Sequence, residues 1–149
     1  MWPSAVISRD QWCDVAQAGT SVKPENPIWV DFARYMAPLV APLAAALADV
    51  LEVAGASPLD VLDVAAGHGL FGIAIATRNP KARITAVDWP AVLEVAAENA
   101  SKAGVAKRVQ KLPGSAFEVD LGTGRDLALV TNFVHHFSRA KHAIPPSAP

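Results

Sequence analysis

The sequence predicts an α/β fold in which four parallel strands alternate with helices, behind a helical N-terminal segment. Three observations carry that prediction. From residue 58 onward, apolar runs of strand length alternate with longer helical segments, the pattern of a parallel sheet with right-handed crossovers. The first run passes directly into a glycine-rich turn, Gly67-His68-Gly69, which opens a helix. The third observation is compositional. A chain of 149 residues that is 52% hydrophobic and 18% charged can bury one real core, which favours a single globular domain over disorder.

Asn26 and Pro27 read as a helix start, a capping side chain followed by a residue pre-set for the first turn. Trp29, Phe32, Tyr35, Met36, Leu39, Val40 and Leu43 then recur at helical spacing on one face and are expected to pack. Pro38 and Pro42 each remove a backbone donor. Two short helices or one kinked rod ending near Val53 are therefore expected, closed by Gly55. Ser57-Pro58 marks the change of pattern. The elements expected next are a strand over 61–65, a helix over 70–77 broken by Asn79-Pro80, and a strand over 83–88. A helix from Pro90, closed by Gly104, and strands over 105–112 and 126–133 complete the series.

Thirteen basic residues against fourteen acidic ones leave no basic stripe, which argues against a nucleic-acid partner and for a small or neutral one. The single cysteine, Cys13, cannot form an internal disulfide, no second cysteine stands at metal-ligand spacing, and no metal site is assigned. Cys13 is read as a small apolar filler in a reducing, cytoplasmic setting. Met1-Trp2-Pro3-Ser4 lacks the pattern of a signal peptide. The longest apolar run, residues 36–48, contains Pro38 and Pro42 and falls short of the ~20 residues of a membrane span. A soluble chain without a membrane partner is expected.

The chemistry-bearing stretch is Val61-Leu62-Asp63-Val64-Ala65-Ala66-Gly67-His68-Gly69, followed by Asp88 at the end of the next strand. Glycines in a strand-to-helix turn let backbone approach a ligand closely. An acidic residue ending the second strand can accept hydrogen bonds from both hydroxyls of a ribose. Together they describe a nucleoside pocket at the carboxyl edge of a parallel sheet. Residues 67–72 also match the G-x-G-x-x-G fingerprint of dinucleotide binders, which alone is a weak signal. Asp63, four positions before Gly67, would face the turn. Its carboxylate repels a pyrophosphate and attracts the ammonium and sulfonium of S-adenosylmethionine, so charge favours the methyl donor over NAD. His68 is read as an exposed loop residue.

The segments 62–69, Ala86-Val87-Asp88-Trp89, 114–118 and Thr131-Asn132-Phe133-Val134-His135-His136-Phe137 resemble successive motifs of class I S-adenosylmethionine-dependent methyltransferases. The likeness is to bacterial small-molecule O-methyltransferases, related to the plant O-methyltransferase and acetylserotonin methyltransferase group. It covers residues 28–137, and it implies a partial Rossmann-like domain over 58–137, with an N-terminal helical segment over 1–57 and an irregular proline-rich tail over 138–149. The resemblance implies that Asp63, Ala65, Gly67 and Gly69 surround the methionine part of S-adenosylmethionine. It places the ribose at Asp88, the adenine by Trp89, Ser115 and Ala116, and the methyl group near Asn132 and Phe133. His135 and His136 are divided between a role at the acceptor pocket and simple packing or solvation. Ala65 departs from the family pattern, which has glycine there.

The family's catalytic histidine lies well beyond the fourth strand, and only twelve residues follow Phe137 here, so no catalytic residue is assigned. The expectation is of a chain truncated at both ends, with little activity alone and a tendency to associate at an uncovered strand edge. A small-molecule methyl acceptor is the expected partner, with a homodimer through the N-terminal helices as an open arrangement. Two alternatives stand beside a methyltransferase: a cofactor-binding remnant without catalysis, and an NAD-dependent oxidoreductase, which Asp63 disfavours.

Overall fold

In the computed structural model, which describes residues 25–51 and 57–131, the first element is helix α1 (Ile28–Val50). Asn26 sets its entry, its Oδ1 accepting the Ile28 N–H at 3.0 Å, the capping role its side chain suggested. The helix runs unbroken for 23 residues through Pro38 and Pro42, so of the two expected forms it is the single rod, ending at Val50. Both prolines are exposed, as is Arg34, so the carbonyls left without a helical donor belong to residues on the solvent side. By length and composition α1 is long and apolar enough to cross a membrane.

One flank of α1 belongs to the protein core. Val40, Ala44 and Ala48 pack with Val61, Phe71 and Ile75, while Ala33 packs with Val92 and Val95. Small side chains on that flank let the helix lie close to its neighbours. Ile28, Tyr35, Leu39 and Leu43 lie on the other flank and are exposed. The apolar arc is therefore wider than the packed contact, and the single packed face expected from the spacing is only partly realised.

Strands β1 (Leu59–Val64), β2 (Ala82–Asp88), β3 (Val109–Pro113) and β4 (Leu127–Leu129) form a parallel sheet in the order β3-β2-β1-β4. Helices α2 (Leu70–Arg78) and α3 (Pro90–Lys102) supply the first two crossovers. The central strands are apolar along most of their length because both faces are covered: Val61, Ile84, Ala86 and Val87 are buried. The chain steps outward from β1 to β3, then returns to the far side of β1. That reversal creates a switch point between β1 and β4, and ligands bind at the carboxyl ends of strands beside such a point.

Two strand boundaries differ from expectation. β3 starts at Val109, because Ala106–Arg108 forms a 3-10 turn. Arg108 anchors that turn, its Nη1 donating to the carbonyls of Ala76 at 2.6 Å and Asn79 at 3.0 Å. β4 is three residues long, paired with Val61–Asp63 of β1, and Asp126 ahead of it bonds Asp60 instead of extending the strand.

Candidate functional site

The β1–β2 register places Asp63 beside Ala86 and Val64 beside Val87, so the chain leaves both strands at one sheet edge. The ladder continues one step further, with Ala66 N–H donating to the Val87 carbonyl at 3.1 Å. The turn then folds back through three left-handed residues, Ala65 at φ +53°, Gly67 at +57° and Gly69 at +74°. Glycine takes this conformation freely and alanine does not. Ala65, where the resembled family has glycine, is therefore a strained position. Gly69 is needed for a second reason. A Cβ there would stand 2.8 Å from the Cβ of Ala96 on α3.

Asp88 ends β2 and joins the turn to the strand: its Oδ2 accepts the Gly67 N–H at 2.8 Å and its Oδ1 the Trp89 N–H at 2.7 Å. Its main-chain carbonyl accepts the Gly114 N–H at 2.9 Å, tying the loop after β3 to the same point. Burial pushes the Asp88 carboxyl upward, partly offset by the two backbone bonds. Asp88 thus stands beside the glycine turn as the motif reading required.

Asp63 sits deeper than that reading placed it. It is 1% exposed, and its Oδ2 accepts the Gly72 N–H, at 3.3 Å, in the first turn of α2. Its Oδ1 has no hydrogen-bond partner among the described residues. Burial is the chief reason its pKa is pushed up to about 7; the Gly72 bond lowers it and the Asp88 charge raises it. Near neutrality Asp63 is therefore only partly ionised. Gly72, third glycine of the fingerprint, allows this arrangement, since a Cβ there would stand 2.6 Å from Ile84 Cγ2 and 3.1 Å from Asp63 Oδ2.

His68 corrects the expectation of an exposed loop residue, being only 5% exposed. Its Nδ1 accepts the Leu70 N–H at 3.1 Å, satisfying an orphan donor at the start of α2, and its ring lies 6.0 Å from that of Phe71. Burial lowers its pKa. Its carbonyl accepts from Asn99 Nδ2 of α3 at 2.9 Å, a contact that sequence reading missed. The two residues are far apart in the chain, and only the crossover brings them together.

Trp89 is partly buried against Ala33, Val92 and Val95, so much of its surface is packing. Ser115 and Ala116 follow β3 at the same sheet edge, both half-buried, with Ser115 Oγ accepting the Phe117 N–H at 3.3 Å. Asn132, Phe133, His135 and His136 lie outside the described residues, as does Cys13. The structure thus brings together Asp63, Ala65, Gly67, Gly69 and Asp88 at one edge, with Ser115 tied there through Gly114.

Residues 61–144, more than half of the chain, match the methyltransferase domain family. Among solved structures, a protein from Nostoc punctiforme PCC 73102, provisionally named an O-methyltransferase, is 47% identical with a TM-score of 0.75, over 87% of this chain and 40% of that one. An O-methyltransferase family 2 protein from Planctomyces limnophilus DSM 3776, solved with apigenin, is 31% identical with a TM-score of 0.60, over 73% of this chain and 36% of that one. The mitomycin 7-O-methyltransferase MmcR is 28% identical with a TM-score of 0.56, over 65% of this chain and 28% of its own. The chain therefore spans 28–40% of the length of these three. No curated protein matches it.

Proposed function

The chain belongs to the class I S-adenosylmethionine-dependent methyltransferases, and from that premise we propose that its carboxyl sheet edge binds S-adenosylmethionine for O-methylation of a small molecule. The observation that carries this reading is Asp88, a part-buried carboxylate bonded among the described residues only to backbone N–H groups, at the lip of a left-handed glycine turn. Its remaining lone pairs suit the two ribose hydroxyls. Gly67, Gly69 and Ala65 present backbone to the methionine part, over the buried Asp63. Trp89, Ser115 and Ala116 border the adenine. Asn132 and Phe133 are proposed near the methyl group, and His135 and His136 at the acceptor.

The donor supplies an electrophilic methyl group whose transfer to an acceptor oxygen needs alignment and loss of the acceptor's proton. The described residues bind and orient; the base is unassigned. A small phenolic or enolic acceptor is supported by the names of the similar structures, one of them solved with apigenin. A second copy of the chain is proposed on the outer flank of α1, supported by exposed Ile28, Tyr35, Leu39 and Leu43. A cytoplasmic setting is supported by the lone Cys13.

Calorimetric titration of the purified chain with S-adenosylmethionine, S-adenosylhomocysteine and NAD tests the ligand. The adenosyl ligands should bind more tightly than NAD, and Asp88→Ala should weaken them by about 1.5–3 kcal/mol. Tighter NAD binding would overturn the assignment. Binding without methyl transfer to a panel of phenols would leave a cofactor-binding chain that is not itself an enzyme.

A further inference from the structure

Helix α3 offers one flank to the glycine turn. Ala96 is fully buried at the point where Gly69 approaches it, and Asn99, three residues on, donates from Nδ2 to the His68 carbonyl at 2.9 Å. Residues three apart lie on the same side of a helix, so both contacts come from a single seat. The same helix begins immediately after Asp88 and Trp89, and Asp88 holds the Gly67 N–H at 2.8 Å. The turn is therefore fixed at its entry by Asp88, at its middle by Asn99 and at its exit by the Gly69–Ala96 contact.

A clamp on the middle is needed because of the glycines themselves. The His68–Gly69 peptide lies between Gly67 and Gly69, and it is held at both its polar groups: its N–H donates to the Ala66 carbonyl at 2.8 Å, and its carbonyl accepts from Asn99. Resting on the cofactor reading above, we infer that Asn99 is a positioning residue for the methionine end of the donor, holding the His68 carbonyl so that the Gly67–Gly69 backbone faces the ligand in a fixed orientation. Asn99 acts through the turn. The adenosine end, held by Asp88 and the loop after β3, does not depend on it.

Asn99→Asp tests this, because it keeps the shape of the side chain and replaces its donor with an oxygen that repels the His68 carbonyl. By calorimetry, affinity for S-adenosylhomocysteine should fall by roughly five-fold or more, while affinity for adenosine changes by less than roughly two-fold. In the ligand-free chain, the Gly67 and Gly69 amide signals should shift while those of Asp60 and Leu127 stay in place. Should Asn99→Asp fail to fold, Asn99→Ala removes the donor without adding charge, and the same affinity ratio decides. Unchanged affinity for S-adenosylhomocysteine with unmoved glycine signals overturns the inference. Equal losses for both ligands also overturn it, since they mark a merely structural role. A wild-type chain that binds neither ligand overturns the cofactor reading itself, an outcome distinct from both.

Discussion

The two ends of β1 carry the same residue type in opposite circumstances. At the amino end, Asp60 faces a cation: its Oδ1 lies 2.7 Å from Arg125 Nη1, which also donates to Thr85 Oγ1 at 3.1 Å. Three residues later Asp63, and beside it Asp88, meet only backbone N–H groups, with no salt bridge to either among the described residues. One end is stapled by charge. The other keeps two carboxyls pushed upward by burial, above a turn held in left-handed backbone. Perturbed carboxyls that the fold does not neutralise support the proposed binding edge, whereas the paired Asp60 serves the scaffold.

The severest way to break this contrast is to disturb the turn's seat. Gly69→Ala would force an L-residue to φ +74° and drive a methyl group to 2.8 Å from Ala96. Adding the ~1–2 kcal/mol cost of left-handed backbone to the ~1–3 kcal/mol of overpacking gives an expected loss of about 2–5 kcal/mol in urea unfolding. A loss well below 1 kcal/mol would mean the turn can move away from α3, and that the carboxyl edge is not sterically fixed.

The contrast sharpens with pH. Asp63 has a folded pKa of about 7, above its ordinary 3.8, so the folded state holds the proton more tightly than the unfolded chain. That contribution to stability is complete below 3.8 and is lost as pH rises through 7; Asp88, also raised, acts in the same direction. His68, lowered from 6.5, works oppositely, its contribution being lost as pH falls. Comparing Asp63→Asn with the wild-type chain at each pH isolates the first effect. Between pH 4 and 7 the wild type should lose stability relative to the variant, by at most about 1.4 kcal/mol per pH unit. Parallel curves would show that Asp63 titrates normally.

Much of this candidate site was legible in the sequence. Strand-helix alternation, the glycine turn and the acidic residue ending β2 are local patterns; β1, α2 and β2 fell within two residues of their expected bounds, whereas β3 began four residues late. What escaped the sequence came from tertiary contact. Nothing local to Asn99 announces that the α3 crossover sets it against the His68 carbonyl, and nothing local to Asp63 says that α2 will seal it. His68 looked exposed because it sits between glycines, yet its bond to the Leu70 N–H turns it inward. The prolines of α1 left two forms open, and the single rod is compatible with them because the carbonyls they free, of Arg34 and Pro38, belong to exposed residues that meet solvent.

The smallest expected effect tests whether strain belongs to the carboxyl edge alone. Ala65 holds φ +53° where the resembled family has glycine, and left-handed backbone costs an alanine about 1–2 kcal/mol. Ala65→Gly relieves that cost while giving the unfolded chain freedom worth about 0.4–1 kcal/mol, so the net gain should lie between about 0 and about 1.6 kcal/mol, centred on ~0.8 kcal/mol. A rise of about 2–5 °C in the midpoint of thermal unfolding would register it. Ala82, at the start of β2 and the opposite end of the sheet, supplies the counterpart, because a glycine in a regular strand relieves nothing and adds the same unfolded freedom. Ala82→Gly should therefore lose stability where Ala65→Gly gains it. The opposite signs are the point of the pair. Losses at both positions would show that Ala65 carries no strain, and the difference between the two edges would then rest on their carboxylates alone.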